Sequence, residues 1–438
     1  MLMKDSIVDP KALNLREGQF GTTFNGQTFQ IDALATLNDW QFTTYIDFMG
    51  RVCVARRKLP DGDWQSISFD DYVIDHTDVH NVPVLGICPI DGTIHLAFDH
   101  HNSPLHYRVS QPGAATSPES VGWSTDLFGA ITSELVGGVE LTKLTYPIFV
   151  TMPDGALQMY YRIGMSGDGD THLAEYRPHA GGWKVLGAFV SGQGKFVDST
   201  SRNAYHNGFD FDAAGRLHTT WVWRESINLL SNHDLQYAYS DDNGYTWSNR
   251  EGTRVGVTGH EPMHLRSRGI TVRPIAYGWG MMNQLTQTLD DRGRIHVVLW
   301  QQPPTAPEAS ADLGTWRYVH YWGDEHGNWH QHQLPYFGRK PTVLASGDDL
   351  VLVFTKSVDP DYHGKDSGGP LYVITASSAD EWSTWREIYR SSDAFVGEPR
   401  VDKHRWQDSA VLSIYAQQAP AAPGEPSPLH VMDFDLEL

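Results

Sequence analysis

The sequence has few cysteines, an excess of acidic over basic residues, and no long apolar run. Its two cysteines, Cys53 and Cys88, form no CxxC pattern, which argues against a disulfide framework and against a cysteine-based zinc site. The 33 basic residues are outnumbered by 53 acidic ones, giving a net charge of −20 without a basic cluster, so nucleic acid and anionic membranes are poor partners. P-loop, G-x-S-x-G and H-E-x-x-H motifs are missing as well.

A targeting segment is also missing from the first residues. MLMKDSIVDP has no apolar core of a secretory signal, and no run reaches the length of a membrane span. We therefore expect a soluble monomer without membrane contact, cytoplasmic as the chain stands or extracellular if a signal has been removed. With 40% apolar and 12% aromatic residues, the chain can bury a sizeable, sheet-rich core.

What the sequence does contain is a repeat. A glycine turn followed by an alternating strand recurs, with the turn glycines at Gly50, Gly92, Gly155, Gly215, Gly293 and Gly347. A second strand such as LQYAYS (235–240) and a tryptophan turn such as GGWKVL (181–186) follow many copies, and HRWQDSAVLSIY (404–415) is a blurred seventh copy. Such units are typical of four-stranded blades. We predict an all-β, seven-bladed β-propeller of antiparallel blades, a single domain over residues 1–438.

Three other stretches support this architecture. SDDNGYTW (240–247) matches the Asp-box S-x-D-x-G-x-T-W, whose polar groups bind the turn backbone while Trp247 packs between strands. The alternation in MDFDLEL (432–438) predicts a closing strand, and QQAPAAPGEPSP (417–428) predicts a surface loop before it. The Asp-box is structural and implies no activity.

Candidate functional residues are polar groups at strand ends. His80 precedes a strand and His101 ends the next one, which predicts a proton-transfer pair, although the 21 histidines also allow turn-capping roles. Arg162 and Arg224 end the apolar strands MYYR and WVWR at equivalent positions, which indicates guanidinium groups aimed at a substrate carboxylate or, alternatively, buried ion pairs. Tyr205 precedes the strand that ends at Arg224 and could transfer a proton or pack in the core.

Weaker candidates lie beside these groups. We expect further substrate contacts from four side chains, with less support for Asn283 and Gln284; the four are Tyr161, Asn207, Asn232 and His233. SGDGDTH (166–172) has the alternating Asp and Gly of a calcium loop, but it lacks a bidentate Glu, so a sharp turn is the preferred interpretation. We predict no catalytic cofactor and no catalytic metal, with a structural Ca²⁺ as the one ion to consider.

Three long stretches resemble a known family. HNVPVLGICPIDGTIHLAFDHHNSPLHYRVS, LTYPIFVTMPDGALQMYYRIGMSGDGDTHL and NAYHNGFDFDAAGRLHTTWVWRESINLLSNHDLQYAYSDDNGYTW are similar to the seven-bladed propeller polysaccharide lyases of the neuraminidase-repeat type. This group includes ulvan lyases, rhamnosyl-glucuronate lyases and a sister group described as rhamnosidases. The likeness runs from about residue 75 to about residue 340.

The resemblance implies β-elimination at a rhamnose–glucuronate linkage, on an anionic oligo- or polysaccharide that contains rhamnose and uronic acid. Arg162 or Arg224 would neutralise the uronate, His101 would be the base, and Tyr205 or His80 the acid, with these last assignments open. Some relatives hold a zinc ion through Cys and His, but Gln236 stands where a Cys is common, so no zinc is expected.

Rival hypotheses come from other classes of protein. Endo-acting ulvan cleavage is an alternative within the lyases. A glycoside hydrolase, such as an α-L-rhamnosidase or a sialidase, would need paired carboxylates, for which Asp78 and Asp99 are candidates. A non-catalytic sugar-binding propeller would keep the arginine and aromatic groups without needing His101.

Overall fold

A computed structural model describes residues 1–18, 20–278, 281–283, 285–302, 315–357 and 366–436 of this chain. Within these ranges the regular structure is almost entirely β, and all pairings between strands are antiparallel. One α-helix, α1 (Lys403–Ser409), and five single-turn 3₁₀ helices complete it; the latter are Pro118–Ser120, Thr125–Leu127, Pro178–Ala180, Leu229–Ser231 and Ser378–Asp380. None of the described helices is long and apolar enough to cross a bilayer.

The first half of the chain forms three sheets after an initial strand, β1 (Leu2–Ala12). A four-stranded sheet contains β2 (Leu34–Leu37), β3 (Trp40–Ile46), β4 (Arg51–Lys58) and β5 (Gln65–Val73). The second sheet contains β6 (Val84–Cys88), β7 (Thr93–Ala97) and, after the short β8 (His101–Ser103), β9 (Tyr107–Val109). A small hairpin, β10 (Glu134–Val136) and β11 (Val139–Glu140), leads to the third sheet. This sheet contains β12 (Leu144–Thr151), β13 (Leu157–Met165), β14 (Asp168–Arg177) and β15 (Gly182–Val190), with β8 at its edge beside β12.

The second half repeats this arrangement. After the hairpin β16 (Gln193–Phe196) and β17 (Ser199–Ser201), one sheet contains β18 (Asn203–Phe211), β19 (Leu217–Arg224), β20 (Asn232–Ser240), β21 (Thr246–Ser248), β22 (Arg254–Val257) and β23 (Thr271–Arg273). The next contains β24 (Thr286–Leu289), β25 (Ile295–Gln301), β26 (Arg317–Gly323) and β27 (Trp329–Gln333). The last contains β28 (Thr342–Ser346), β29 (Asp349–Thr355), β30 (Gly369–Ser377), β31 (Arg386–Val401), β32 (Val411–Gln418), β33 (Ser427–Asp435) and β1.

The first strands of successive sheets lie side by side, as the propeller prediction requires. β2 packs beside β6, β6 beside β12, and β24 between β18 and β28. The all-β prediction is confirmed. The blade number stays a prediction, because the long strand β31 joins the last two four-strand units into one continuous sheet.

All six repeat glycines adopt positive φ, between 58° and 82°, a conformation that side chains with a Cβ rarely adopt. Five of them connect the first and second strands of a sheet, as the repeat predicts. Gly50 instead lies between β3 and β4, the second and third strands, so the first copy of the repeat is out of phase. The blurred seventh copy has no glycine turn: α1 and Ala410, with φ 55°, precede β32 in its place.

The Asp-box has the structural role that its sequence predicts. Asp242 accepts hydrogen bonds from the Thr246 backbone N (2.8 Å) and hydroxyl (2.7 Å), which fixes the turn between β20 and β21. Trp247 is fully buried, stacks on Phe189 at 4.9 Å, and donates from Nε1 to Thr258 (3.1 Å). The motif therefore fastens two neighbouring sheets together.

The first and last strands of the chain lie side by side in one sheet, because β33 pairs with β32 on one side and with β1 on the other. This confirms the predicted closing strand within the described residues. Met432 and Phe434 face a buried cluster, while Asp433 on the opposite face is also buried and binds Arg57 at 2.8 Å. The loop at 419–426 precedes β33, as expected from its Pro and Ala content.

Candidate active site

A cavity of 530 Å³ opens at the face where the first strands begin. Antiparallel pairing brings the start of a first strand next to the end of the second strand, so Arg162 pairs with Thr145 and Arg224 with Asn203. The cavity wall combines histidine, tyrosine, cationic and apolar side chains from several sheets: Phe20, Gln27, Phe29, Val79, His80, His101, Asn102, Tyr146, Arg162, Met165, Ser166, Tyr205, Arg224, Ile227, Leu229, Met282, Asn283 and Lys340.

His101 reaches this cavity through a short crossover. After β7, the chain crosses to the neighbouring sheet as the short strand β8, which pairs with β12 and places His101 opposite Thr145. Asn102 takes a positive φ of 61° and donates its backbone N to the Thr145 hydroxyl (2.7 Å). His100 does not line the cavity, is 1% exposed, and stacks with His106.

His80 and His101 form a stacked pair held by one carboxylate. Their ring centroids are 4.1 Å apart, and each Nδ1 lies 2.5 Å from a different oxygen of Asp78. Burial opposes ionisation of Asp78, but the two imidazole hydrogen bonds outweigh it and hold its pKa well below the ordinary value. An ionised carboxylate only accepts, so both histidines donate from Nδ1 and keep Nε2 as the proton-accepting atom when neutral.

Aromatic rings surround the histidine pair. Phe29 stacks on His80 at 5.2 Å, and Phe20 contacts the edges of His80 and His101 at 4.8 and 5.6 Å. Burial among these rings, partly offset by Asp78, lowers the pKa of His80 to about 4. His80 is therefore neutral near pH 7. Since its only proton is on Nδ1, it has none to donate into the cavity.

Tyr205 lies between the two arginines. The Cζ atoms of Arg162 and Arg224 are 5.6 and 5.5 Å from its ring centroid, and its hydroxyl accepts from Arg162 (3.0 Å) and contacts Ser166 Oγ (3.1 Å). Burial alone would raise the pKa of Tyr205, but the two guanidinium charges and these hydrogen bonds outweigh it and lower the pKa below the ordinary value. Burial raises the pKa of the neighbouring Tyr146, so its phenol is less favoured as an acid than that of Tyr205.

Neither cavity arginine pairs with a carboxylate among the described residues. Arg224 donates to the backbone oxygens of Ser226 and Ile227 and to Asn283 Oδ1 (3.1 Å). Arg162 is 4% exposed, and its Nε has no hydrogen-bond partner. Within the described parts of the chain, the structure therefore gives neither arginine the ion pair of the alternative interpretation.

Some other buried arginines of this chain have carboxylate partners, whereas Arg56 and Arg400 are buried without an ion pair among the described residues. Arg202 pairs with Glu225 at 2.6 Å, close to the cavity, and Arg57 pairs with Asp433. A guanidinium buried without a counter-ion is costly, and the cost falls when an anion binds. At the cavity, the guanidinium groups of Arg162 and Arg224 can bind an anionic ligand.

The sequence analysis did not predict several residues at or beside the cavity. Lys340, 2% exposed, comes from the approach to β28, far along the chain from the histidines. Tyr146 takes φ 55° at the start of β12, and its ring lies 5.0 Å from the Arg162 guanidinium. Lys340 and Tyr146 lie near the start of the first strand of a sheet, as Tyr205 does. This shared position is the sequence signal from which they could have been predicted. Asp78 was considered only as a hydrolase carboxylate.

The structure does not place four of the predicted substrate contacts on the cavity wall. Tyr161 is one residue from Arg162 on a strand, so it faces the opposite side and is buried in another cluster. Asn207 binds Thr220 (3.0 Å) and the Leu285 backbone (3.2 Å). Asn232 binds the Leu229 backbone oxygen (2.6 Å), and His233 is sandwiched between Glu225 (2.9 Å) and Asp234 (3.0 Å).

Asn283 does line the cavity, whereas Gln284 lies outside the described residues. Asp99, the other hydrolase candidate, binds Tyr72 and the Asp75 backbone away from the cavity. The Gly-rich stretch is a two-residue hairpin turn between β13 and β14, which confirms the sharp turn. Asp170 there accepts from the Gly192 backbone (2.7 Å).

The histidine pair is also the group whose donor set suits a metal. Asp78, His80 and His101 have ligand atoms within 4.8 Å of one another. An ion bound at Asp78 would have to displace the two hydrogen bonds of 2.5 Å that orient the rings. The absence of a catalytic metal and the structural Ca²⁺ both stay predictions.

The fold and the cavity define an all-β repeat protein with a cationic, histidine-bearing pocket, and comparison with known proteins agrees. A model of the BNR repeat-containing family matches residues 40–336, more than half of the chain, so the chain belongs to this family. The long isoform of ulvan lyase from Alteromonas sp. (strain LOR) is 25% identical over 403 residues, covering 82% of this chain and 37% of that protein. A second long isoform, from Alteromonas sp, is 29% identical over 209 residues, covering 40% of this chain and 20% of that protein.

Solved structures share the architecture. Polysaccharide lyase Uly1 superposes with a TM-score of 0.76 at 18% identity, covering 100% of both chains. A PL25 ulvan lyase bound to -[GlcA(1-4)Rha3S]- gives 0.71 at 12% identity, covering 97% of this chain and 94% of that one. At these identities the likeness shows the fold. The chain spans between 20% and 39% of the length of the curated ulvan lyases that it matches. The resemblance inferred from the sequence is thus confirmed.

Proposed function

We propose that this protein is a polysaccharide lyase that cleaves rhamnose–glucuronate linkages by β-elimination. The observation that carries the proposal is the composition of the cavity. Arg162, which is buried, and Arg224, which is half-buried, have no carboxylate partner among the described residues, and they stand beside a pair of oriented histidines and a tyrosine of lowered pKa. Relatives named ulvan lyases, one solved with a glucuronate–rhamnose chain, support this substrate class.

The arginines would bind the uronate carboxylate. Abstraction of the proton at C5 places negative charge on that carboxylate in the transition state, so a cationic partner lowers the barrier. The guanidinium carbons of Arg162 and Arg224 lie 5.6 and 5.5 Å from the Tyr205 ring centroid, so a carboxylate near the phenol meets both charges. Binding would neutralise charge that the fold leaves uncompensated.

His101 would be the base. Its Nδ1 donates to Asp78, so Nε2 carries the lone pair, and its side chain is 25% exposed compared with 16% for His80. When Nε2 takes the C5 proton, the imidazolium is stabilised by the carboxylate that already holds the ring. His80 would support His101 by stacking and by sharing Asp78.

Tyr205 would be the acid. As the C4–O4 bond breaks and the C4–C5 double bond forms, the leaving O4 needs a proton. A phenol between two guanidinium groups releases its proton more readily, because its phenolate is stabilised. His80 is the less suitable acid, since its Nε2 carries no proton at neutral pH. In this step the C5 proton moves to His101, the electron pair of the C5–H bond forms the C4–C5 double bond, and the departing O4 takes its proton from Tyr205.

A hydrolase has less support from this cavity. Hydrolysis of a glycosidic bond usually requires two carboxyl groups about 5–10 Å apart. No Asp or Glu occurs among the described residues that line the cavity, and both oxygens of Asp78 are engaged by histidines. A sugar-binding role without catalysis would need the arginines but not the oriented pair.

The test is ultraviolet absorbance during incubation with rhamnosyl-glucuronate oligosaccharides and with ulvan. We expect the chromophore of an unsaturated uronate to appear with wild type, to be lost in His101→Ala, and to persist in the control His332→Ala, whose histidine lies outside the cavity. The responding substrate distinguishes terminal from internal cleavage. Rhamnose release without the chromophore would mean hydrolysis and would overturn the proposal.

A further inference from the structure

Four apolar side chains line the cavity next to Arg224. They form what we call the apolar rim: Met165, Ile227, Leu229 and Met282. Ile227 is 79% exposed and Met165 is 56% exposed, although both are large and apolar. Leu229 and Met282, in contrast, rest on the core cluster beneath. Exposed apolar side chains grouped at a binding cavity usually mark a contact surface for a ligand.

The apolar rim is fixed by the groups that would bind the uronate. Ile227 accepts a hydrogen bond from Arg224 through its backbone oxygen, and Ser166, the neighbour of Met165, contacts the Tyr205 hydroxyl. Arg224 also donates to Asn283, next to Met282. The rim therefore keeps a set position relative to the charges.

Asn232 completes this frame. Its Nδ2 donates to the Leu229 backbone oxygen (2.6 Å) and to Asn283 Oδ1 (3.3 Å), so the loop that carries Leu229 is tied to the same network. Asn232 is thus a positioning residue for the rim rather than a sugar contact. A ligand held by the arginines must present its neighbouring part to an apolar, rigid wall.

We propose that the apolar rim is a subsite for the methyl group of the 6-deoxy sugar next to the uronate. This inference rests on the proposed function. Rhamnose carries CH₃ where ordinary hexoses carry CH₂OH, and the four rim side chains offer a hydroxyl only the weak thioether acceptors of two methionines. Covering that hydroxyl would cost free energy, whereas covering the methyl group is favourable. The rim thus selects the deoxy sugar while the arginines select the acid.

The experiment measures binding without catalysis. In His101→Ala, the affinity for a rhamnosyl-glucuronate disaccharide is compared by calorimetry with that for its L-mannosyl counterpart, which differs by one hydroxyl. We expect roughly tenfold tighter binding of the rhamnosyl compound, a factor typical of small apolar pockets. Adding Met165→Ser and Ile227→Ser should reduce the ratio to below about twofold. The control Ile7→Ser, at a residue 50% exposed on β1, should leave it unchanged.

The possible results separate this inference from the function. Equal affinities, a preference that survives both rim substitutions, or no binding of either disaccharide would overturn the subsite. A dimer that the rim substitutions dissolve, with sugar affinities unchanged, would assign the rim to a second copy of the chain instead. A methyl preference in binding, together with no chromophore from wild type, would keep the subsite and overturn the lyase. Chromophore formation by wild type without a methyl preference in binding would keep the lyase and overturn the subsite.

Discussion

Asp78 is the residue at which the structure makes its sharpest prediction. It lies outside the cavity wall, yet its two oxygens set the tautomer of both histidines. In Asp78→Asn, one oxygen still accepts from one ring, but the amide NH₂ faces the other ring and can only donate. That ring must then accept at Nδ1 and carry its proton on Nε2, so it stops being a base.

The expected loss follows from this change of tautomer and from the lost charge. The wrong tautomer of a catalytic histidine, combined with an imidazolium that has no carboxylate, raises the barrier by about 4 kcal/mol, or roughly 10³-fold in kcat/KM. The assay is the initial rate of chromophore formation at pH 7 with a rhamnosyl-glucuronate substrate. KM should change little, because the arginines that bind the uronate are untouched.

Asp99→Asn is the matched control. Asp99 is a similarly buried carboxylate in the same region of the chain, but its partners are Tyr72 and the Asp75 backbone. We expect its activity to stay within about threefold of wild type. If Asp78→Asn remained folded by circular dichroism and kept activity within the same range, the assigned role of Asp78 would be refuted.

Three further predictions concern the acid, the fold and pH. Tyr205→Phe should lower kcat about 10²–10³-fold on a sugar leaving group and much less on an aryl leaving group that needs no proton; equal losses on both would exclude an acid role. Trp247→Ala should cost about 3–5 kcal/mol of unfolding free energy in denaturant titrations, since it empties a fully buried site between two sheets; a loss below about 1 kcal/mol would contradict that packing. Burial lowers the pKa of His95, His100 and His206 to about 3, so the unfolded chain binds more protons below about pH 6.5. Stability should therefore fall between pH 6.5 and pH 4, by about 2 kcal/mol per histidine at pH 5, and a melting temperature constant over that range would speak against it.

Local chemistry explains why much of the fold was visible in the sequence. A turn that needs positive φ selects glycine, and a half-buried strand alternates, so the glycine turns at Gly92, Gly155, Gly215 and Gly293 could be placed without coordinates. The copy at Gly50 was out of phase because the pattern marks a hairpin and not its rank in a sheet. Five residues of the cavity wall could be named for a similar reason, since each falls at or shortly before a strand end; they are His80, His101, Arg162, Tyr205 and Arg224.

The errors also have physical causes. Tyr161 was assigned to the cavity with its neighbour Arg162, although adjacent strand residues face opposite sides. Asn207 and Asn232 were expected to bind sugar, but their amides satisfy nearby backbone groups that the sequence does not display. Sequence spacing shows where a polar side chain lies along a strand, but it does not show which group that side chain hydrogen-bonds.

The sequence by itself determined the all-β architecture, the repeat, the closing strand and most of the chemistry-bearing strand ends, because these depend on backbone conformation and alternation over a few residues. Only the tertiary structure decided that Asp78 joins two histidines and that Lys340 shares their cavity. It also decided that Arg202 pairs with Glu225, while Arg162 and Arg224 find no carboxylate among the residues that the structure describes. Those facts depend on contacts between sheets that are far apart along the chain, and no local pattern encodes them.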